Sequence, residues 1–219
     1  MMSNSAELPL DPGRECDLCP RLVDFRHTNR QTYPDFHNAP VAAFGPLDAE
    51  MLVVGLAPGL KGANCTGRPF TGDYAGDVLY PGLTQAGFAT GIYGGRPDDG
   101  LALVNCRITN AVRYVPPQNK PTGPEANACR PFLIQEMAKM PNLRILLALG
   151  KIAHDQVLKT LGLKLNYAKF THGALHELPD GRLLANSYHC SRYNVNTGRL
   201  TQQMFDDVLA VIRQRLMQD

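Results

Sequence analysis

Met51-Leu52-Val53-Val54-Gly55 runs without a break into Leu56-Ala57-Pro58-Gly59, and that change from a continuous apolar run to a Gly/Pro turn reads as a strand buried on both faces and closed by a loop. Three more short apolar runs, over residues 101–108, 144–149 and 183–187, share the pattern. Helical periodicities lie between them. Ala75, Val78, Leu79, Leu83 and Ala86 recur on one helical face, and Thr122 with Glu125 is spaced as a capping box ahead of Cys129, Phe132, Leu133 and Met137. Residues 151–161 and 201–216 supply two further helices. Strands alternating with helices predict a three-layer α/β/α sandwich around a short four-stranded parallel sheet, in one domain over residues 1–219 with residues 1–15 expected to be flexible. Ligands of such sheets sit beyond the carboxyl ends of the strands, so the functional segments should follow residues 55, 108, 149 and 187.

The whole composition fits one domain. A chain of 219 residues, 44% hydrophobic, can bury one full core and is short for two large ones. Its 22 basic and 20 acidic side chains leave a net charge of +2, so attraction to a polyanion must come from local clustering of charge. No stretch approaches the roughly 18 apolar residues of a membrane span, and no basic segment followed by an apolar run opens the chain. A soluble, cytosolic protein is expected. Six cysteines in that setting read as buried thiols or metal ligands sooner than as disulfides. Repeats, low-complexity blocks and linkers are absent from the sequence.

Each loop after a strand has a chemical reading and a plain one. After the first strand come Gly55 to Gly59, then Lys61-Gly62-Ala63-Asn64 and Thr66-Gly67-Arg68-Pro69-Phe70-Thr71-Gly72-Asp73. Glycine lets a backbone approach a ligand closely, and Phe70 offers a flat face for a base, although a Gly/Pro turn plugged by Phe70 accounts for the same residues. After the second strand, Asn110 carries one donor group and one acceptor, while Pro116-Pro117-Gln118-Asn119-Lys120-Pro121 is stiff and holds a cation suited to a phosphate. A strand-end Asn also serves as a turn residue. After the fourth, Tyr188-His189-Cys190-Ser191-Arg192-Tyr193-Asn194-Val195-Asn196 gathers an imidazole that can donate to a developing anion, with hydroxyl, amide and guanidinium groups for phosphates. Cys16 and Cys19 form a Cys-x2-Cys pair, with Cys106 and Cys129 as distant partners. Such a pair can share zinc or an iron–sulfur cluster, or remain two unreactive thiols.

Taken in order, Cys16-x2-Cys19-Pro20-Arg21-Leu22, Gly55-Leu56-Ala57-Pro58-Gly59, Thr66 to Asp73, Asn110-Ala111-Val112-Arg113, Pro116 to Thr122 and His189 to Thr201 resemble the uracil-DNA glycosylases of family 5, the UDGb type. The motifs span nearly the whole chain. The resemblance implies a repair enzyme that flips uracil, and other deaminated bases such as hypoxanthine, out of double-stranded DNA and hydrolyses the N-glycosidic bond. It implies a monomer acting in the cytoplasm, at the nucleoid. By similarity, His189 stabilises the leaving base, Asp73 steadies the sugar cation or positions water, Phe70 stacks on the flipped base and Asn110 reads its edge. Gly55, Ala57, Gly62, Asn64 and Asn119 are assigned with them to the base pocket, and Lys120, Ser191, Arg192 and Asn196 to DNA binding, with Arg192 and its neighbours on the loop that enters the duplex after the base leaves it. Leu56 and Ala57 stand where better-known relatives place a polar, water-activating residue.

The same resemblance implies a [4Fe–4S] cluster on four cysteines: the N-terminal pair, one just before Pro-Pro, and one further along. Cys16, Cys19 and Cys129 match three of these, and Tyr114 stands at the remaining place. Cys106, eight residues earlier, is up to about 26 Å away along an extended chain and is a poor substitute. Three readings stay open, of which the first is preferred: a cluster on three cysteines, a phenolate or outside ligand at the fourth iron, or a lost cluster with Tyr114 packed in its place. Two rivals stand beside the glycosylase: a non-catalytic iron–sulfur protein that binds nucleic acid on the same fold, and a small metabolic nucleotide hydrolase on a doubly wound sheet, which would cleave free deoxyuridine where a glycosylase needs polymer.

Overall fold

The computed structural model describes residues 9–218. Its elements are α1 (Pro20–Thr32), β1 (Met51–Gly55), α2 (Ala63–Thr66), α3 (Tyr74–Gln85), β2 (Ala89–Thr90), β3 (Ala102–Leu103), β4 (Cys106–Asn110), α4 (Gly123–Ala138), β5 (Ile145–Leu149), α5 (Lys151–Thr160), β6 (Leu175–Glu177), β7 (Leu183–Ser187), α6 (Arg192–Asn196) and α7 (Gln202–Leu216). The central sheet runs β4-β1-β5-β7-β6, with β4, β1, β5 and β7 mutually parallel. The expected four-stranded parallel sheet is therefore corrected to five strands. The extra one, β6, pairs antiparallel with β7 along a short, partly exposed edge that lacks a continuous apolar run.

Alternation along the buried strands builds the two outer layers. Met51, Val53, Ile145 and Leu147 face a core shared with Val78, Leu79 and Leu83 of α3 and Phe205, Leu209 and Ile212 of α7. Leu52, Val54, Leu146 and Ala148 face the opposite way, against Leu133 and Met137 of α4 and Val157 and Leu158 of α5. The capping box forms as expected: the Thr122 hydroxyl accepts from the Glu125 N–H, and the Glu125 carboxylate accepts from the Thr122 N–H at 2.7 Å. The run over residues 101–108 divides into β3 and β4 because Asn105 takes φ +50° and spends its side chain on Glu50, across 55 residues. Of residues 1–15, those from 1 to 8 lie outside the described residues. Nearby, Asp11 pairs with Arg113 at 3.1 Å and Glu15 with Arg30 at 2.7 Å.

The order of connections fixes where a ligand can sit. From β1 the chain passes to β4 on one side, then returns across β1 to β5 on the other. The loops leaving β1 and β4 therefore diverge and leave a crevice over their carboxyl ends.

Candidate active site

Gly55 closes β1 and lies in register with Asn110, which closes β4. A Cβ on Gly55 would overlap Asn110 Oδ1 and lie 2.6 Å from Phe70 Cζ, so the absent side chain is what lets an amide and an aromatic ring meet over this strand end. Phe70 itself adopts φ +51°, an uncommon conformation for a bulky residue. Its neighbours impose it. The Tyr80 hydroxyl donates to the Pro69 carbonyl at 2.6 Å, and the Tyr93 hydroxyl donates to the Phe70 carbonyl at 3.2 Å while accepting from the Gly72 N–H at 3.4 Å. Arg68 donates to Thr71 Oγ1 and pairs through both terminal nitrogens with Asp99, at 2.8 and 2.7 Å, its guanidinium enclosed by the rings of Phe44, Tyr80 and Tyr93. Strain of this kind persists where surrounding contacts over-determine it.

Asp73 serves as the N-cap of α3, with Oδ1 accepting from the Ala75 N–H at 3.1 Å. Its other oxygen lies against the loop after β1, where a Cβ on Gly62 would overlap Oδ2. Burial raises the carboxyl above the ordinary aspartate value, against the pull of the Ala75 and Gly76 N–H groups. His189 follows β7. Its carbonyl accepts from Asn194 Nδ2 at 2.8 Å, and the Ser191 hydroxyl caps α6, so the loop is fastened on both sides of the imidazole. The ring stands 5.9 Å from that of Phe70 and lines the same cavity. Burial lowers its pKa to about 4, so the imidazole is neutral at pH 7 and keeps one N–H to donate.

These groups surround a cavity of about 640 Å³, of the size that small-molecule sites take. Of the residues picked from the sequence, Ala57, Phe70, Asp73, Asn110, Asn119, His189, Ser191 and Arg192 line it, over the floor that Gly55 provides. Asn119 also accepts from the Leu60 N–H at 3.3 Å, joining the two loops. Asn64 is not brought to the cavity: it is buried, and its Nδ2 donates to Asn38 Oδ1 at 2.9 Å, so its part is to hold the loop. Lys120 and Asn196 lie exposed and away from the cavity lining; the Lys120 carbonyl accepts from Arg21. Lys61 and Tyr74 line the cavity and escaped sequence reasoning, as did Tyr93 behind Phe70. Adjacency was the available signal, since Lys61 and Tyr74 flank residues already chosen, and the Arg192 guanidinium lies 5.3 Å over the Tyr74 ring.

The fold and site define an α/β protein that takes its ligand at a topological switch point, with an aromatic plate, an amide, a carboxylate and a neutral imidazole facing one space. A family model described as the uracil DNA glycosylase superfamily matches residues 42–213. The type-5 uracil-DNA glycosylase of Thermus thermophilus is 44% identical over 199 residues, covering 89% of this chain and 90% of that protein. That of Mycobacterium leprae is 40% identical over 201 residues, covering 88% of each. A type-4 uracil-DNA glycosylase of Pyrobaculum aerophilum is 32% identical over 150 residues, covering 68% of this chain and 62% of that protein. This chain belongs to the uracil-DNA glycosylase superfamily and, within it, to the type-5 family.

Cys16, Cys19 and Cys129 pack in one group with Leu22, Val112, Tyr114 and Ala126. Among the described residues, no three His, Cys, Asp or Glu side chains are placed to hold a metal ion. At the fourth position the Tyr114 hydroxyl is engaged by the Gly13 and Arg14 carbonyls at 2.9 and 3.0 Å. This donor set does not fit a four-iron cluster on four protein ligands. Among the described residues, no helix is long and apolar enough to cross a membrane.

Proposed function

We propose that this chain excises uracil from double-stranded DNA by hydrolysing the N-glycosidic bond, and accepts other deaminated bases such as hypoxanthine. The observation that carries the reading is the convergence of Phe70, Asn110, Asp73 and His189, from four separate loops and strand ends, on one cavity. A flipped base stacks on the Phe70 ring, and the Asn110 amide offers a donor and an acceptor to its edge. As the bond between the base nitrogen and C1′ breaks, its electron pair leaves with the base. The neutral His189 donates a hydrogen bond to that anion, which adds no second charge to a buried position. The Asp73 carboxylate faces the cationic sugar, and water adds at C1′ from the open side, its proton passing to solvent or to the departing base.

Leu56 and Ala57 offer no water-activating group, so rate must come from stabilising the two developing charges more than from a strong nucleophile. The small side chain of Ala57 in the cavity wall leaves room that supports acceptance of purines. Arg192, Ser191 and Lys61 at the mouth, with Lys120 and Asn196 on the outer surface, supply donors for phosphates. The cavity is complete within one chain, which supports a monomer acting on DNA in the cytoplasm, at the nucleoid. The non-catalytic binding protein has no observation in its favour.

The test is base release under single-turnover conditions from U·G, U·A and hypoxanthine·T duplexes, with free deoxyuridine as the control for a nucleoside hydrolase. Release from the uracil duplexes, lost in His189→Ala and Asp73→Ala, is expected. No release from any duplex would sink the proposal.

A further inference from the structure

We infer that Tyr114 and Arg26 close the lobe between α1 and α4 by protein contacts alone, and that this chain folds and works without a four-iron cluster. The inference rests on the chain's own contacts and is independent of the catalytic reading.

The lobe joins three remote pieces: the segment before α1 with Cys16 and Cys19, the loop after β4 with Tyr114, and α4 with Cys129. A cluster on four cysteines would tie these pieces together through its ligands. Here side chains make each of those ties. The Tyr114 hydroxyl reaches back about 100 residues to the Gly13 and Arg14 carbonyls, which leaves its one proton committed and its oxygen turned to backbone. Arg21, in the first turn of α1, pairs with both carboxylate oxygens of Glu125 in α4, at 2.7 and 2.8 Å, and donates to the Lys120 carbonyl at 3.0 Å. Arg113, the neighbour of Tyr114, holds Asp11 at 3.1 Å and Glu136 of α4 at 2.6 Å.

The interior of the lobe is filled as well as tied. Tyr114 is 4% exposed and Arg26 is 4% exposed, and the guanidinium lies 5.0 Å over the phenol ring. Arg26 donates to the Cys16 carbonyl at 3.0 Å, while its Nε has no hydrogen-bond partner and the ring's π face covers the group instead. A cysteine at position 114 would leave open the space that this ring occupies beneath the Arg26 guanidinium. Substitution of that one residue thus replaces a ligand with a plug, and the three remaining thiols stay as packing groups around Leu22 and Ala126.

The experiment is iron and acid-labile sulfide analysis, with visible absorption, on full-length protein purified without oxygen and then offered iron and sulfide. Wild type is expected to stay colourless with background iron, and a strong iron chelator should leave its Tm and base release unchanged. Tyr114→Phe, which keeps the ring and loses the hydroxyl contacts, should lower Tm by about 2–4 °C. Tyr114→Cys, treated in the same way, should take up iron and sulfide and colour. Stoichiometric iron and sulfide in wild type overturns the inference, whether or not Tyr114→Phe keeps them. An unchanged Tm in Tyr114→Phe, or no uptake by Tyr114→Cys, overturns the role given to Tyr114. The iron, sulfide, absorption and Tm readouts do not depend on glycosylase activity, so their failure and that of the proposed function can be told apart.

Discussion

Replacing His189 by Gln should remove a pH dependence of stability that the fold imposes on one imidazole. The unfolded chain takes up a proton on this group below its ordinary pKa of 6.5, whereas the folded chain refuses it until about 4. Between those values the unfolded state binds more protons, so stability is full above pH 6.5 and is lost as the pH falls toward 4. The fall from 6.5 to about 4, at about 1.4 kcal/mol per pH unit, sets an upper limit of about 3.5 kcal/mol, and roughly 2 kcal/mol is expected by pH 4.5 because cavity water relieves part of the penalty. Urea unfolding of wild type and His189→Gln at several pH values between about 7.5 and 4.5 reads the difference directly, since every other titrating group is common to both proteins. The gap between the two stabilities should change by that amount across the window. Parallel curves would refute the buried, neutral imidazole. Single-turnover base release offers a second reading: it should not fall with a midpoint near pH 6.5, and a fall there would show His189 titrating as an ordinary histidine.

Asp73→Asn should separate stability from activity. A raised folded pKa means that the protonated carboxyl is stabilised and that this contribution is lost as pH rises through that pKa; the neutral amide, which keeps the cap on Ala75, should raise Tm at pH 7 by about 2–4 °C. Base release by the same variant should drop by about 10²-fold or more, and retention of full activity would remove Asp73 from the mechanism. Gly62→Ala puts a Cβ into Asp73 Oδ2, so base release should fall about 10-fold or more while binding to undamaged duplex holds; an unimpaired variant would show that Asp73 moves aside without consequence. Tyr93→Phe removes the bonds to the Phe70 carbonyl and Gly72 N–H, and should slow excision about 5- to 10-fold with Tm changed by no more than about 2–4 °C. A rate equal to wild type would show that Phe70 holds its conformation unaided.

Of the buried parallel strands, β1 and β5 were legible because each is apolar throughout, and β7 because Leu183-Leu184-Ala185 opens it: β1 and β7 fall on the expected residues, and β5 differs by one, while β4 carries Arg107, Thr109 and Asn110 and runs past the end of the expected apolar run. The helix α1 left no such mark. It buries Leu22 together with Arg26 and Asn29, so polar residues occupy its inner face and no apolar stripe shows in the sequence. The pocket was readable where a loop follows directly from a strand end, as at Gly55, Asn110 and His189. It failed where chain direction turns a side chain away, as at Asn64, whose motif neighbours face the cavity while its own amide turns to Asn38. Tyr93 and Asp99 lay beyond reach for another reason: they come from a loop more than twenty residues after Phe70, and only tertiary packing brings them beneath it.

Ala57 has two sides. One lines the cavity, and the other packs against the group of Leu22, Val112, Tyr114, Ala126 and Cys129. The depth of the base pocket is therefore partly set from behind, by residues that never meet DNA. Selection for chemistry and selection for breadth of substrate can act on different positions: the first on His189 and Asp73, the second on the packing under Ala57. Two members of the family with the same residues facing the base can thus diverge in the lesions they remove, through changes that a comparison of pocket residues alone would pass over.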